Sequence, residues 1–127
     1  MKGYRCLKNI YLNIHFPELE AKVTPEQQAL FDQGNRVGEE ARKYFPGGVL
    51  VDNKAWDFFG SLKRTRELLA AKTPIIYEAA FEYQGCYARA DIIKYSADTQ
   101  RWKIFEVKSS TKVKEEHLDD VGLQAWI

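Results

Sequence analysis

Hydrophobic and polar positions change period along this chain, and each period predicts an element. From Lys22 to Gly48, apolar and small residues recur at spacings of three and four: Leu30, Phe31, Gly34, Val37, Gly38, Ala41, Tyr44 and Phe45. That is the stripe of an amphipathic helix. Thr24 suits the N-cap, Pro25 the first helical position, and Gln27 completes a capping box, while Gly47 and Gly48 mark the far end. The pattern predicts a helix of about five turns. Its two internal glycines each cost about 1 kcal/mol against alanine, so the expectation is that a sheet approaches the helix closely there. A second, shorter helix is predicted in "AWDFFGSLKRTRELLAA". Its apolar stripe reads Trp56, Phe59, Leu62, Leu69 and Ala70, and Lys63, Arg64 and Arg66 form a basic flank.

From Thr73 the pattern turns β-branched and aromatic, with turn residues between three runs: Pro74 to Tyr83, Cys86 to Ser96 and Arg101 to Ser109. Gln84–Gly85 makes one tight turn and Ala97 to Gln100 the other, giving an antiparallel meander. The final stretch, "KEEHLDDVGLQAWI", is helical through Leu118, Val121 and Ala125 and reaches Ile127 without a helix stop signal. The reading is therefore one α/β domain over residues 1–127, with helices packed on a mostly antiparallel three-stranded meander. Its last helix is expected to be cut, so that the chain is an N-terminal fragment of a longer protein.

Composition narrows the classes. At 127 residues, 45% hydrophobic and 13% aromatic, the chain supports a single core. A net charge of +1 supplies no global field toward polyanions, so any such contact must be local. No apolar run approaches the roughly 20 residues of a membrane helix and no secretory signal stands at the start, which points to the cytoplasm and away from a membrane partner. Cys6 and Cys86 are too few for a disulfide scaffold and too far apart for a metal knuckle. From composition both read as buried thiols.

The chemistry concentrates in "WKIFEVKSST", Trp102 to Thr111. If the second hairpin turns about Asp98 and Thr99, Asp91 stands directly across from Glu106. Opposed Cβ atoms lie about 4.5 to 5.5 Å apart, where two carboxylates repel. A cation between them reverses that sign, and magnesium takes carboxylate oxygens while keeping waters. Strand alternation puts Lys108 on the same face. Two carboxylates and an amine suit metal-assisted phosphodiester hydrolysis, the amine stabilising developing charge or orienting water. Trp102, Tyr95 and Tyr87 share the Asp91 face in this register, and Trp102 is expected to pack in the core.

Asp91, a gap of fourteen residues, then Glu106-Val107-Lys108 with Ser109 and Ser110, is similar to the PD-(D/E)XK nucleases, in particular their RecB-like and CRISPR-associated exonuclease branch. "GNRVGEEARKYFPGG" and "EVKSSTKVKEEHLDD" resemble signature stretches of a bacterial group of RecB-like proteins. The resemblance implies a restriction-endonuclease-like core and a magnesium- or manganese-dependent deoxyribonuclease acting in DNA repair or defence on DNA that is single-stranded or has free ends. It makes Asp91 and Glu106 the metal ligands, Lys108 the amine serving water or the transition state, and Gln124 the glutamine of a Q-x-x-x-Y arrangement. It also makes Cys6 a candidate ligand of a four-iron–four-sulfur cluster in the full-length parent.

Two features depart from that branch. Gly38 stands where a G-x-x-x-H pattern from Gly34 places a histidine ligand, leaving Glu39 and Glu78 as the acidic candidates for its role. By strand alternation Glu78 groups with Ile76, Ala80 and Glu82. The partners a Cys6 cluster needs do not occur in these 127 residues. His117 is expected to cap the last helix or to lie at the surface. Lys112 and Lys114, with Lys63, Arg64 and Arg66, read as a basic border for a phosphate backbone or as a solvated face. The alternative function is a nuclease-like domain without catalysis, acting as a nucleic-acid-binding or assembly module.

Overall fold

The computed structural model describes residues 7–54 and 56–127, which fall into two compact units divided between Asp32 and Gln33, inside a helix. In the first unit, helix α1 (Leu7–His15) leads into a short 3-10 turn at Pro17–Leu19. The Tyr11 ring lies 4.5 Å from His15 and 6.2 Å from Phe16. Helix α2 (Pro25–Lys43) then starts on the capping box that its sequence promised. The Thr24 N–H donates to Gln27 Oε1 at 2.9 Å, and the Gln27 N–H donates back to Thr24 Oγ1 at 3.3 Å.

The second unit is an α/β arrangement on a mixed sheet. Its elements after α2 are β1 (Val49–Leu50), α3 (Phe58–Ala70), β2 (Ile75–Tyr83), β3 (Cys86–Ser96), β4 (Arg101–Phe105) and α4 (Glu115–Trp126). The sheet order is β1-β2-β3-β4; β1 runs parallel to β2 and the other pairs are antiparallel. The expected three-stranded antiparallel meander is present as β2-β3-β4, and β1 adds a fourth, parallel strand that two residues are too short to show by alternation. The second hairpin keeps the expected register, Ile92 pairing with Phe105 and Ile93 with Ile104, and the first closes on the expected turn, with Tyr83 paired to Cys86. Gln84 and Gly85 both take positive φ, 50° and 77°, as a primed hairpin turn requires. β4 ends at Phe105, short of the expected Ser109.

The core gathers Val51, Leu68, Ile76, Ala79, Ala90 and Ile93, with Phe81 and Ile104 packed against it. Its contribution from α3 differs from the expected stripe. Ser61, Thr65 and Leu68 are the buried residues of that helix, while Trp56 and Phe59 are exposed. Two polar side chains can be buried because both are satisfied: Ser61 Oγ donates to the Asp57 carbonyl at 2.9 Å, and Thr65 Oγ1 accepts the Ala80 N–H at 2.9 Å. Asp57 caps the helix by accepting the Gly60 N–H at 2.9 Å. Two other expectations of burial also fail. Cys86 is exposed beside the hairpin turn, and Trp102 is exposed, its ring 5.3 Å from that of Tyr95.

Strand alternation breaks at one row of the sheet, and that break positions the site. Ile76 and Ala79 on β2, and Ala90 and Ile93 on β3, belong to one cluster despite spacings of three. Between them Glu78 adopts φ 57°, a left-handed backbone that a side chain beyond glycine rarely takes. As a result Tyr77 and Glu78, although consecutive, reach toward the same helical segment. The Tyr77 hydroxyl donates to the carbonyl of Phe45, and Glu78 pairs with Arg42 at 3.1 Å. Gly48 is where that packing needs a glycine, since a Cβ there would lie 2.3 Å from the Tyr77 ring.

Candidate active site

The pairing of β2 with β3 brings Glu78 level with Asp91, and the β3–β4 register brings Asp91 level with Glu106. Three carboxylates therefore stand in one row across three neighbouring chain segments, and all three line a cavity of about 490 Å³. Repulsion within such a row must be offset by cations or by protonation.

Each carboxylate is held differently. Glu78 Oε1 pairs with Arg42 at 3.1 Å, and its Oε2 with Arg89 at 3.7 Å. Glu106, just past the end of β4, is engaged through both oxygens: Lys108 Nζ approaches Oε1 at 2.7 Å and Gln124 Nε2 donates to Oε2 at 2.7 Å. Asp91, in the middle, accepts the Val107 N–H at 2.6 Å through Oδ2. Burial pushes its carboxyl up to about 6, with the charges of Glu106 and Glu78 adding and the Val107 N–H and Lys108 opposing. Desolvation works against the Lys108 ammonium, but hydrogen bonds to Glu106 and to Asp120, 3.0 Å away, outweigh it and hold its pKa above the ordinary value. Lys108 is therefore a cation, and Asp91 can gain or lose a proton near neutrality.

Asp91, Glu106 and Lys108 meet as their sequence pattern suggested, although the means differ for Lys108. The strand has ended before it, and ion pairs with Glu106 and Asp120, not alternation, fix its position. Gln124 holds Glu106. Glu78 joins the row by its register across from Asp91, and its positive φ parts it from Ile76 and Ala80, with which alternation grouped it. Glu39 lines the same cavity from α2. His117 caps α4, its Nδ1 accepting the Lys114 N–H at 3.2 Å. Cys6 lies outside the described residues.

The glycines of α2 have a role opposite to the expected one. A Cβ on Gly34 or Gly38 would meet nothing within 4 Å, and both residues line the 490 Å³ cavity with Arg42. They keep space open above the carboxylates instead of admitting a sheet. Three residues of the site went unread in the sequence: Arg42, Arg89 and Asp120. Arg42 continues the four-residue spacing of Gly34 and Gly38, and Asp120 lies four before Gln124, so helical periodicity held the signal for both. The first hairpin held the one for Glu78, whose register across from Asp91 follows from a turn centred on Gln84–Gly85.

Among the described residues, no group of three or more His, Cys, Asp or Glu side chains is arranged to hold a metal ion as the side chains stand. Two adjacent carboxylates still fit magnesium or manganese, which accept one or two carboxylates and complete their shell with water. The half-buried Asp91 carboxyl, pushed up to about 6 beside Glu106, is the place such a cation would relieve. Also among the described residues, no helix is long and apolar enough to cross a membrane. Comparison with known protein families, curated proteins and solved structures finds no match to this chain.

Proposed function

We propose that this chain carries a divalent-metal-dependent deoxyribonuclease site of PD-(D/E)XK type on a restriction-endonuclease-like core, resembling the RecB-like exonucleases. The observation that carries the reading is the cross-strand row, in which Asp91 and Glu106 line one cavity with Lys108 ion-paired at 2.7 Å from Glu106. Asp91 and Glu106 would hold magnesium or manganese. When bound, the cation supplies Lewis-acid polarisation of a phosphoryl oxygen and a water of lowered pKa. Lys108, kept charged by Glu106 and Asp120, offers an ammonium to the negative charge that builds on the phosphoryl group. Gln124 fixes the Glu106 carboxylate through Oε2, and Arg42 gives the cavity a guanidinium suited to phosphate oxygens. The test is cleavage of linear DNA with manganese: Asp91→Ala, Glu106→Ala and Lys108→Ala are each expected to abolish it with the fold intact. Full activity in any one of them refutes the assignment.

A second reading, a nuclease-like module that binds nucleic acid without cutting it, draws on two observations. Glu78 is neutralised by two arginines, and Gly38 occupies the position where the resembled branch carries a histidine. Manganese titration separates the readings, because the inactive module has no cation site that depends on Asp91 and Glu106.

A further inference from the structure

Glu106 and Lys108 border a second cavity as well, of about 360 Å³, beside the last helix. Its lining is of another kind. Val113, Leu118 and Val121 give it an apolar wall, and Val113 and Leu118 are largely exposed, at 78% and 64%. Exposed aliphatic side chains grouped around a concave site gain from contact with an apolar ligand surface. Thr111 adds a hydroxyl and Lys112 an ammonium. His117 is oriented, because its Nδ1 accepts the Lys114 N–H and so leaves a donor at Nε2. An apolar wall, a few hydrogen-bonding groups and a cation at the edge suit a heterocyclic base on a sugar carrying phosphate. About 360 Å³ sits at the low end of small-molecule sites, which start near roughly 300 Å³. That volume has room for one nucleoside.

Among the described residues, the two cavities share only the Glu106–Lys108 pair. We propose that the second cavity receives the nucleoside of the nucleotide whose phosphate lies on Lys108, so that the site takes a strand with an unpaired base at that position. This inference rests on the nuclease reading for its biological meaning, yet binding of the nucleoside needs no cation. A base held this way is read by contact and hydrogen bonding outside a duplex.

The test is calorimetric titration of the 127-residue chain in EDTA. Thymidine 5′-monophosphate is expected to bind at least about tenfold more tightly than 2-deoxyribose 5-phosphate, which lacks the base. Val121→Trp, which fills the cavity, should bring the two Kd values together. So should Leu118→Glu at its exposed position, where folding is not at stake. Equal affinity for the two ligands in the parent chain, or undiminished discrimination in both variants, overturns the proposal. A chain that discriminates between the ligands but shows no manganese-dependent DNA cleavage retains this site and loses the nuclease reading. One that cleaves DNA without discriminating retains that reading and loses the site.

Discussion

The two ends of the carboxylate row are built from different chemistry. At the Glu78 end the acid sits within a strand, on a left-handed backbone, between the guanidiniums of Arg42 and Arg89. At the Glu106 end the strand has stopped, and the acid is gripped by an amine and an amide, Lys108 and Gln124. Guanidinium stays charged at every accessible pH and pairs through a rigid fork, which makes the first end a fixed counter-charge. Ammonium is a compact point charge on a flexible stem and can turn from a carboxylate to a phosphate. On the nuclease proposal the Glu78 end would hold and the Glu106 end would act, with Asp91 between them as an acid that no ion pair reaches among the described residues.

Substitution at the two ends should separate those roles, and the largest effect is expected at Lys108. Lys108→Ala should lower manganese-dependent DNA cleavage at least about 100-fold, the scale of losing one preorganised charge-stabilising group. Its melting temperature should move little, since a partly exposed ion pair contributes little to stability. Comparable losses from Lys108→Ala and Arg42→Ala would erase the contrast. Gln124→Ala is expected to cost about tenfold, because it leaves Glu106 held by Lys108 alone. Arg42→Ala should cost only a few-fold, read as a change in KM more than in kcat.

Asp91 adds a pH signature. Its carboxyl titrates at about 6 in the fold against an ordinary 3.8, so the folded chain favours the protonated form. Stability without metal should therefore fall as pH rises from about 4 to about 6 and stay lower above that. Asp91→Asn should remove the fall and stabilise the chain at pH 7 by about 1 kcal/mol, after allowance for solvent screening at the cavity. Urea unfolding at pH 4 and pH 7 measures both. Metal-dependent cleavage should move the other way, rising with pH through about 6 as Asp91 loses its proton.

The smallest effect concerns the glycines over the row. A Cβ on Gly38 meets nothing, so Gly38→Ala should raise stability by about 0.5 to 1 kcal/mol through helix propensity alone. If the space is kept for a ligand, the same change should weaken DNA binding. Equal or tighter binding by Gly38→Ala would show that the opening serves nothing.

Much of this layout is legible in the sequence. The capping box of α2, the two hairpins and the facing of Asp91 with Glu106 follow from short-range rules of spacing and turn chemistry, and all three hold. What escaped depends on tertiary context. The stripe of α3 was misread because Ser61 and Thr65 are polar by type and become core residues only through hydrogen bonds to Asp57 and Ala80. The level of Glu78 with Asp91 follows from the first hairpin, but its positive φ interrupts the alternation that groups it with Ile76 and Ala80, and no sequence rule announces that conformation at a glutamate. The glycines of α2 were rightly seen as unusual and wrongly explained, since small residues mark close approach and open space equally well. Asp120 needed the helix after Lys108 to fold back on it.

The central claim is that Asp91 and Glu106 stand together to hold a cation. Isothermal titration of manganese into the chain at pH 7.5 tests it directly, with Asp91→Asn as the control that keeps the shape and the Val107 hydrogen bond while removing the charge. A single site is expected in the parent chain and none in the variant. Absence of binding in the parent, or the same affinity in both, contradicts it.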